Sequence, residues 1–125
     1  MGTIKLEKSV KLPDHVQVNK INDFETDKGE ILILLACNDS LLLTCSVDVM
    51  NYDEIRLTNV GDIIDLNQTS KTSEFLLITK EGLKFCNMTS YSVTLNKNEE
   101  YFKYKKVAGA FEYQPNIFIV ALDKE

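Results

Sequence analysis

Acidic side chains are the most numerous groups in this sequence that could do chemistry, but their spacing predicts no catalytic pair. Asp62 and Asp65 flank Ile63-Ile64 on what we expect to be one short strand. Asp39 and Glu81 take the same place in two similar hairpins, which a repeat explains without a chemical role. General acid–base catalysis needs groups that converge on one substrate atom. We therefore expect these carboxylates to solvate turns and strand ends.

Nucleophiles and metal ligands are equally sparse. The single histidine, His15, follows Pro13 and Asp14 in an expected turn, where nothing places it beside a nucleophile. Cys37 and Cys45 flank one predicted hairpin, where their sulfur atoms would lie too far apart for disulfide geometry. The sequence has no Cys-x-x-Cys pair for zinc, and its five glycines form no phosphate-binding loop. We therefore predict a protein that is not an enzyme and that holds no cofactor or metal.

Size, charge and hydropathy narrow the class of protein further. The 125 residues suit one domain, and 44% apolar with 26% charged residues predicts a folded chain. A net charge of −5 argues against non-specific binding to nucleic acid or to anionic membranes. The first residues do not resemble a signal peptide, and the longest apolar run, Ile31 to Cys37, is too short to span a bilayer. We expect a cytoplasmic or nuclear protein without membrane insertion.

The stretch from Ile31 to Val47 dominates the pattern. It contains two apolar runs separated by Asn38, Asp39 and Ser40, residue types that favour tight turns, and it predicts a buried β-hairpin. Elsewhere apolar residues alternate or form short runs rich in β-branched and aromatic types. We predict an all-β protein of antiparallel strands at Thr3–Leu12, Val16–Phe24, Ile31–Cys37, Leu41–Val47, Glu54–Thr58, Asp62–Leu66, Phe75–Thr79, Leu83–Cys86, Tyr91–Leu95, Tyr101–Tyr113 (one long or two short) and Ile117–Leu122.

A repeat of about 42 residues is the most specific signal. When the hairpins are superimposed on their turns, Leu34-Leu35-Ala36 lies over Leu76-Leu77-Ile78, and Phe118-Ile119-Val120 follows after another 42 residues. The preceding strands show the same spacing from Val18 to Val60 and from Ile21 to Ile63. This period, with four strands in each unit, is typical of propeller blades. The units are about 16–58, 60–95 and 104–125, with Thr3–Leu12 as the outer strand of a preceding blade.

On these features the chain resembles the N-terminal part of a divergent WD40-like β-propeller. The strand rhythm is present, but the Gly-His and Trp-Asp signatures of that family are absent, and the sequence contains no tryptophan. A closed ring needs roughly four to eight blades, and this chain supplies two and a fraction. The sequence is therefore a fragment, or a chain completed by another chain, or a self-contained β-sandwich or barrel.

The resemblance implies a protein–protein interaction scaffold that acts as a subunit or fragment of a larger assembly. In the family geometry, one rim gathers the loops between blades and the hairpin turns. We expect the partner-binding loops on that rim to comprise Pro13, Asp14, His15, Asn38, Asp39, Ser40, Asn59, Gly61, Lys80, Glu81 and Gly82. The alternative is a small β-barrel or sandwich that binds an apolar ligand. A propeller would place the hairpins in successive stacked sheets, whereas a barrel would place them in one continuous sheet.

Overall fold

The protein is all-β and antiparallel, as the sequence predicts. A computed structural model describes residues 2–4, 9–46, 51–57, 60–80, 82–89, 92–101 and 106–123. Ten strands lie in these residues: β1 (Val18–Glu25), β2 (Ile31–Cys37), β3 (Leu41–Ser46), β4 (Tyr52–Arg56), β5 (Ile63–Gln68), β6 (Glu74–Thr79), β7 (Gly82–Thr89), β8 (Ser92–Tyr101), β9 (Val107–Gln114) and β10 (Ile117–Leu122).

The strands form three separate sheets, each a meander in chain order. Sheet 1 contains β1-β2-β3-β4, sheet 2 contains β5-β6-β7-β8, and sheet 3 contains β9 and β10. Every neighbouring pair is antiparallel, for example Leu35 opposite Leu43 in sheet 1 and Leu77 opposite Lys84 in sheet 2. The predicted hairpins therefore lie in different sheets and not in one continuous sheet.

The sheets stack face to face around apolar cores, because β2 and β6 are apolar on both faces. Leu32, Leu34 and Ala36 of sheet 1 pack with Phe75 and Leu77 of sheet 2. The rings of Phe24 and Phe75 meet edge to face, with centroids 5.7 Å apart. The opposite face of sheet 2, including Leu76 and Ile78, packs on Phe118 and Val120 of sheet 3. The chain is thus a layered stack in which each core joins consecutive sheets.

The N-terminal segment differs from the prediction of a strand over Thr3–Leu12. Residues 2–4 and 9–12 lie outside the strands, and residues 5–8 lie outside the described part of the chain. Val10 and Leu12, followed by Val16, pack against Leu35 and Leu43 on the free side of sheet 1. Partial burial of Val10, Leu12 and Val16 therefore holds this part of the segment against sheet 1 without strand pairing, whereas Ile4 is 90% exposed.

The predicted break at residues 96–100, between the strands Tyr91–Leu95 and Tyr101–Tyr113, is also wrong, because these residues belong to β8. Their backbone pairs with β7, where Lys84 lies opposite Glu100 after a register irregularity. Polar and charged residues are common in edge strands, since one side of such a strand faces solvent. The polar composition of this segment therefore resembled a loop.

The 42-residue spacing holds only for the hairpins of sheets 1 and 2. Leu35 faces the N-terminal segment and Leu77 faces sheet 1, so each faces the layer that precedes its own sheet in the chain. In β10 the residues that face the preceding sheet are Phe118 and Val120, so the pattern is shifted by one residue. Phe118 is therefore not equivalent to Leu76, since the two side chains face each other across one core. A one-residue shift exchanges the two faces of a strand, so composition alone does not reveal it.

The inner strands β1 and β5 also depart from that spacing. Ile21 is exposed whereas Ile63 is fully buried, so the two are not equivalent. The structure aligns Asn22 with Asn67, 45 residues on, since these residues lie opposite Leu34 and Leu76. The difference of three residues arises because 11 residues separate Asn22 from Leu34, whereas 8 separate Asn67 from Leu76.

Candidate partner-binding surfaces

The predicted rim loops do come together at one end of the stack, around Ser40. The Ser40 N–H donates to the carbonyl of Gly61 at 2.6 Å, and the Ser40 carbonyl accepts from the Leu57 N–H at 2.8 Å. Its hydroxyl oxygen accepts the N–H groups of Val60 and Gly61 at 3.0 and 2.9 Å. Ser40 thus ties the hairpin of sheet 1 to the connection that enters sheet 2.

Asp62 joins the same hairpin to the hairpin of sheet 2. Its Oδ1 accepts the Asp39 N–H at 3.0 Å, and its Oδ2 lies 3.0 Å from Lys80 Nζ. The hydrogen bond from the Asp39 backbone, followed by that from Lys80, lowers the pKa of Asp62 below its usual 3.8. The rim is therefore a connected polar network that includes Asp39, Ser40, Gly61 and Lys80.

Two other parts of the predicted rim lie nearby. Asn38 donates its N–H to the carbonyl of Gln17 at 3.2 Å, next to the turn in which Val16 bonds back to Pro13. Gly82 has a φ of 129°, in the range that favours glycine, and begins β7. Asn59 and Glu81 lie outside the described residues. Because rim groups bond to one another, their arrangement has a structural explanation that does not need a partner.

Amide side chains connect the inner strands of successive sheets. Asn22 on β1 donates to the Leu66 carbonyl on β5, and Asn19 donates to the Ile63 carbonyl at 2.9 Å. Asn67 on β5 repeats this contact with the Ala110 carbonyl on β9, at 3.2 Å. Nothing in the sequence distinguishes these residues, since isolated asparagines carry no periodic signal.

A polar groove lies at the opposite end from the rim, between the first loops of sheets 1 and 2. It encloses about 590 Å³ and is lined by residues 25–27, 29 and 68–72. Gln68 bridges its base, since its side chain accepts the Glu25 N–H at 2.8 Å and donates to the Glu25 carbonyl at 2.7 Å. These partners occupy the amide of Gln68, so the bridge has a structural role.

Glu112 fastens sheet 3 to sheet 2 beside this groove. Its carboxylate accepts the N–H and hydroxyl of Ser70 at 2.6 and 2.9 Å, and the Asn116 N–H at 3.1 Å. Burial raises the pKa of Glu112, but the hydrogen bonds from Asn116 and Ser70 together lower it below its usual range. The carboxylate is therefore held ionised as a link between a loop and the β9–β10 turn.

The described residues show neither a cluster of metal ligands nor an exposed thiol. No three of their His, Cys, Asp or Glu side chains converge as a metal site. Burial raises the pKa of Cys37 to about 11 and that of Cys86 to about 12, and burial followed by Asp53 raises that of Cys45. These thiols are protonated near neutral pH, which disfavours nucleophilic chemistry. Within the same residues no helix is long and apolar enough to cross a membrane.

The outer face of sheet 3, turned away from sheet 2, is apolar and exposed. Because Phe118 and Val120 point to sheet 2, the alternate residues Ile117 and Ile119 point away from it. The exposed fractions of the outer-face side chains are 51% for Ile117, 47% for Ile119 and 52% for Phe111. Ile119 lies directly opposite Phe111, so they form one cross-strand pair. Exposed apolar surface of this kind is typical of interaction sites.

Comparison with known proteins adds no relative. No protein-family model, curated protein or solved structure matches the chain significantly.

Proposed function

We propose that this chain is a non-catalytic scaffold that binds another protein chain through the outer face of sheet 3. One observation carries the proposal. The faces of β2 and β6 that point to the following sheet are buried, with Leu34 at 0% and Leu76 at 1% exposure. The corresponding face of β10 exposes Ile117 and Ile119 to solvent. The stack thus presents an apolar layer of the kind that it buries elsewhere.

The outer face differs from the inner ones in a way that disfavours sheet 1 of another copy as the surface that it binds. On β5 the Leu66 carbonyl accepts the hydrogen bond from Asn22. The next residue, Asn67, donates a hydrogen bond to the Ala110 carbonyl on β9. Phe111 stands in the same place after Ala110, so an exposed phenyl ring replaces the connecting amide. The N-terminal segment covers the free side of sheet 1, which leaves that side unsuited to receive a second sheet 3. We therefore propose an apolar partner surface without a polar link.

The remaining candidate surfaces support the proposal less well. The rim loops predicted from the sequence hold polar groups that already bond to one another. The groove beside Gln68 is lined mainly by polar residues, which does not favour the alternative of an apolar ligand.

A photocrosslinking experiment tests the proposal directly. A photoreactive phenylalanine analogue is placed at position 119 on the outer face, or at position 21 as the matched control. Ile21 is also exposed, at 60%, but lies on β1 in sheet 1. The expected result is a discrete protein that crosslinks at position 119 and not at position 21.

The captured protein is then purified and its affinity measured. We expect Ile119→Lys to weaken binding by about thirtyfold or more, as loss of a central interface side chain does, while Ile21→Lys leaves affinity unchanged. Equal crosslinking at both positions, or equal affinity of the two variants, would overturn the proposal.

A further inference from the structure

The free edge of β10 is the feature that identifies how a partner would attach. In sheets 1 and 2 the second strand has neighbours on both sides, β1 and β3 for β2, and β5 and β7 for β6. Among the described strands β10 pairs with β9 alone. Its other edge therefore presents backbone donors and acceptors that an extended chain can pair with.

The outer edge strands of the other two sheets contain charged residues, whereas β10 contains none. The edge strand β4 exposes Asp53, Glu54 and Arg56, and the sequence of β8 contains Lys97, Glu99 and Glu100. Charges of this kind discourage pairing with a foreign strand. The sequence of β10, IFIVAL, has no charge and no proline. Its register irregularities lie at its two ends and leave Phe118–Ala121 regularly paired.

The layer beneath the edge argues against pairing with a second copy. The Phe118 ring of β10 meets Phe85 of β7 edge to face, with centroids 5.1 Å apart, so β10 lies over the middle of sheet 2. If β10 paired with β10 of a second copy about a two-fold axis, sheet 2 of the second copy would lie beneath sheet 3 of the second copy. In that position it would overlap β7 and β8 of the first chain. A single strand or hairpin without its own supporting layer would not cause this overlap.

We propose that the edge of β10 pairs with an extended, uncharged apolar segment of the partner protein, running antiparallel to β10. This inference rests on the proposed function and names the way in which the partner binds. The segment takes the place beside β10 that β3 takes beside β2 and β7 beside β6. Its backbone pairs with Phe118–Ala121, and its apolar side chains extend the core between sheets 2 and 3.

A peptide with the sequence of β7 is the probe, because β7 occupies this position in sheet 2. It carries Gly82–Thr89 with Lys84→Thr and Cys86→Ser, so that the pairing segment is uncharged, and lysine flanks for solubility. Two further versions carry N-methyl groups on alternate residues, one version for each edge of the peptide. Binding is followed by amide chemical shifts and hydrogen exchange of the isotope-labelled protein.

Edge pairing predicts that the unmodified peptide protects the amides of Phe118–Ala121 from exchange. One N-methylated version should bind with similar affinity and the other about tenfold or more weakly, because only one peptide edge faces β10. Equal affinity of the two versions, or no protection in β10, would overturn the inference. A dimer of the chain that is lost when the peptide is added would also overturn it.

The peptide experiment and the crosslinking experiment can fail independently of each other. If the partner crosslinks at position 119 but the amides of β10 gain no protection in that complex, the edge inference fails and the scaffold proposal stands. If peptide pairing is seen but no partner crosslinks at position 119, the scaffold proposal fails instead.

Discussion

Two buried threonines show how individual hydroxyl groups affect stability in opposite directions. Thr44 on β3 is 2% exposed, and its hydroxyl has no hydrogen-bond partner among the residues that the structure describes. Thr79 on β6 is fully buried, and its hydroxyl donates to the Gly82 carbonyl at 3.2 Å. A buried hydroxyl costs free energy unless it is bonded.

We expect Thr44→Val to raise the free energy of unfolding by about 1 kcal/mol, since it removes an unbonded polar group. The matched change Thr79→Val should lower it by about 1 kcal/mol, since it leaves the Gly82 carbonyl without this donor. Urea unfolding at neutral pH measures both. Changes of the same sign in the two variants would contradict this account.

Asp62 makes the stability that the rim network contributes depend on pH. Its hydrogen bonds from Asp39 and Lys80 lower its pKa in the folded state below the usual 3.8. Its contribution to stability is therefore complete above the unfolded pKa and is lost as the pH falls through the lower folded value.

In Asp62→Asn this part of the acid dependence should disappear. The urea midpoint of the wild type should then fall more steeply than that of the variant as the pH is lowered past 3.8. Asp23→Asn, an exposed carboxylate on β1, is the control and should retain the wild-type slope. Parallel curves for Asp62→Asn and the wild type would show that the network carries no such linkage.

At the scale of elements, the amide of Asn67 is the clearest link between sheets 2 and 3. Asn67→Ala removes its bond to the Ala110 carbonyl, and we expect a loss of about 1 kcal/mol in the free energy of unfolding. Asn51→Ala, at an exposed position before β4, should change it by less than about 0.5 kcal/mol. Urea unfolding of the two variants is the measurement, and equal values would show that the amide link does not stabilise the stack.

Strands could be predicted because their apolar residues follow a period of two, or fill both faces of β2 and β6. The predicted hairpin centred on Asn38 to Ser40 is confirmed, with Asp39 and Ser40 both at a positive φ near 60°. The register of β1 and β10 could not be predicted, because it depends on loop lengths and on irregularities near Val18 and Ile117. These features change which face a residue occupies without changing the composition.

At the scale of the molecule, the repeat of the apolar hairpins favoured separate stacked sheets and left a sandwich or barrel as the alternative. The exposed outer face of sheet 3 could not be predicted, although its aromatic residues are visible in the sequence. Exposed and buried apolar residues have the same composition, so only the position of Phe118 in the core showed that Ile119 points outward. The asparagine links were missed for a similar reason, since an inter-sheet bond joins residues about 43 positions apart.

The layered arrangement also determines how early each core can close. The links between inner strands join Asn22 to Leu66 and Asn67 to Ala110, so each connects a sheet to the sheet synthesised immediately after it. Nascent chains fold from the N-terminus as they are made, and contacts between near neighbours in sequence close quickly. Sheets 1 and 2 can therefore pack before β10 has left the ribosome. β10 emerges after both of these sheets, so it packs on a face of sheet 2 that has already folded.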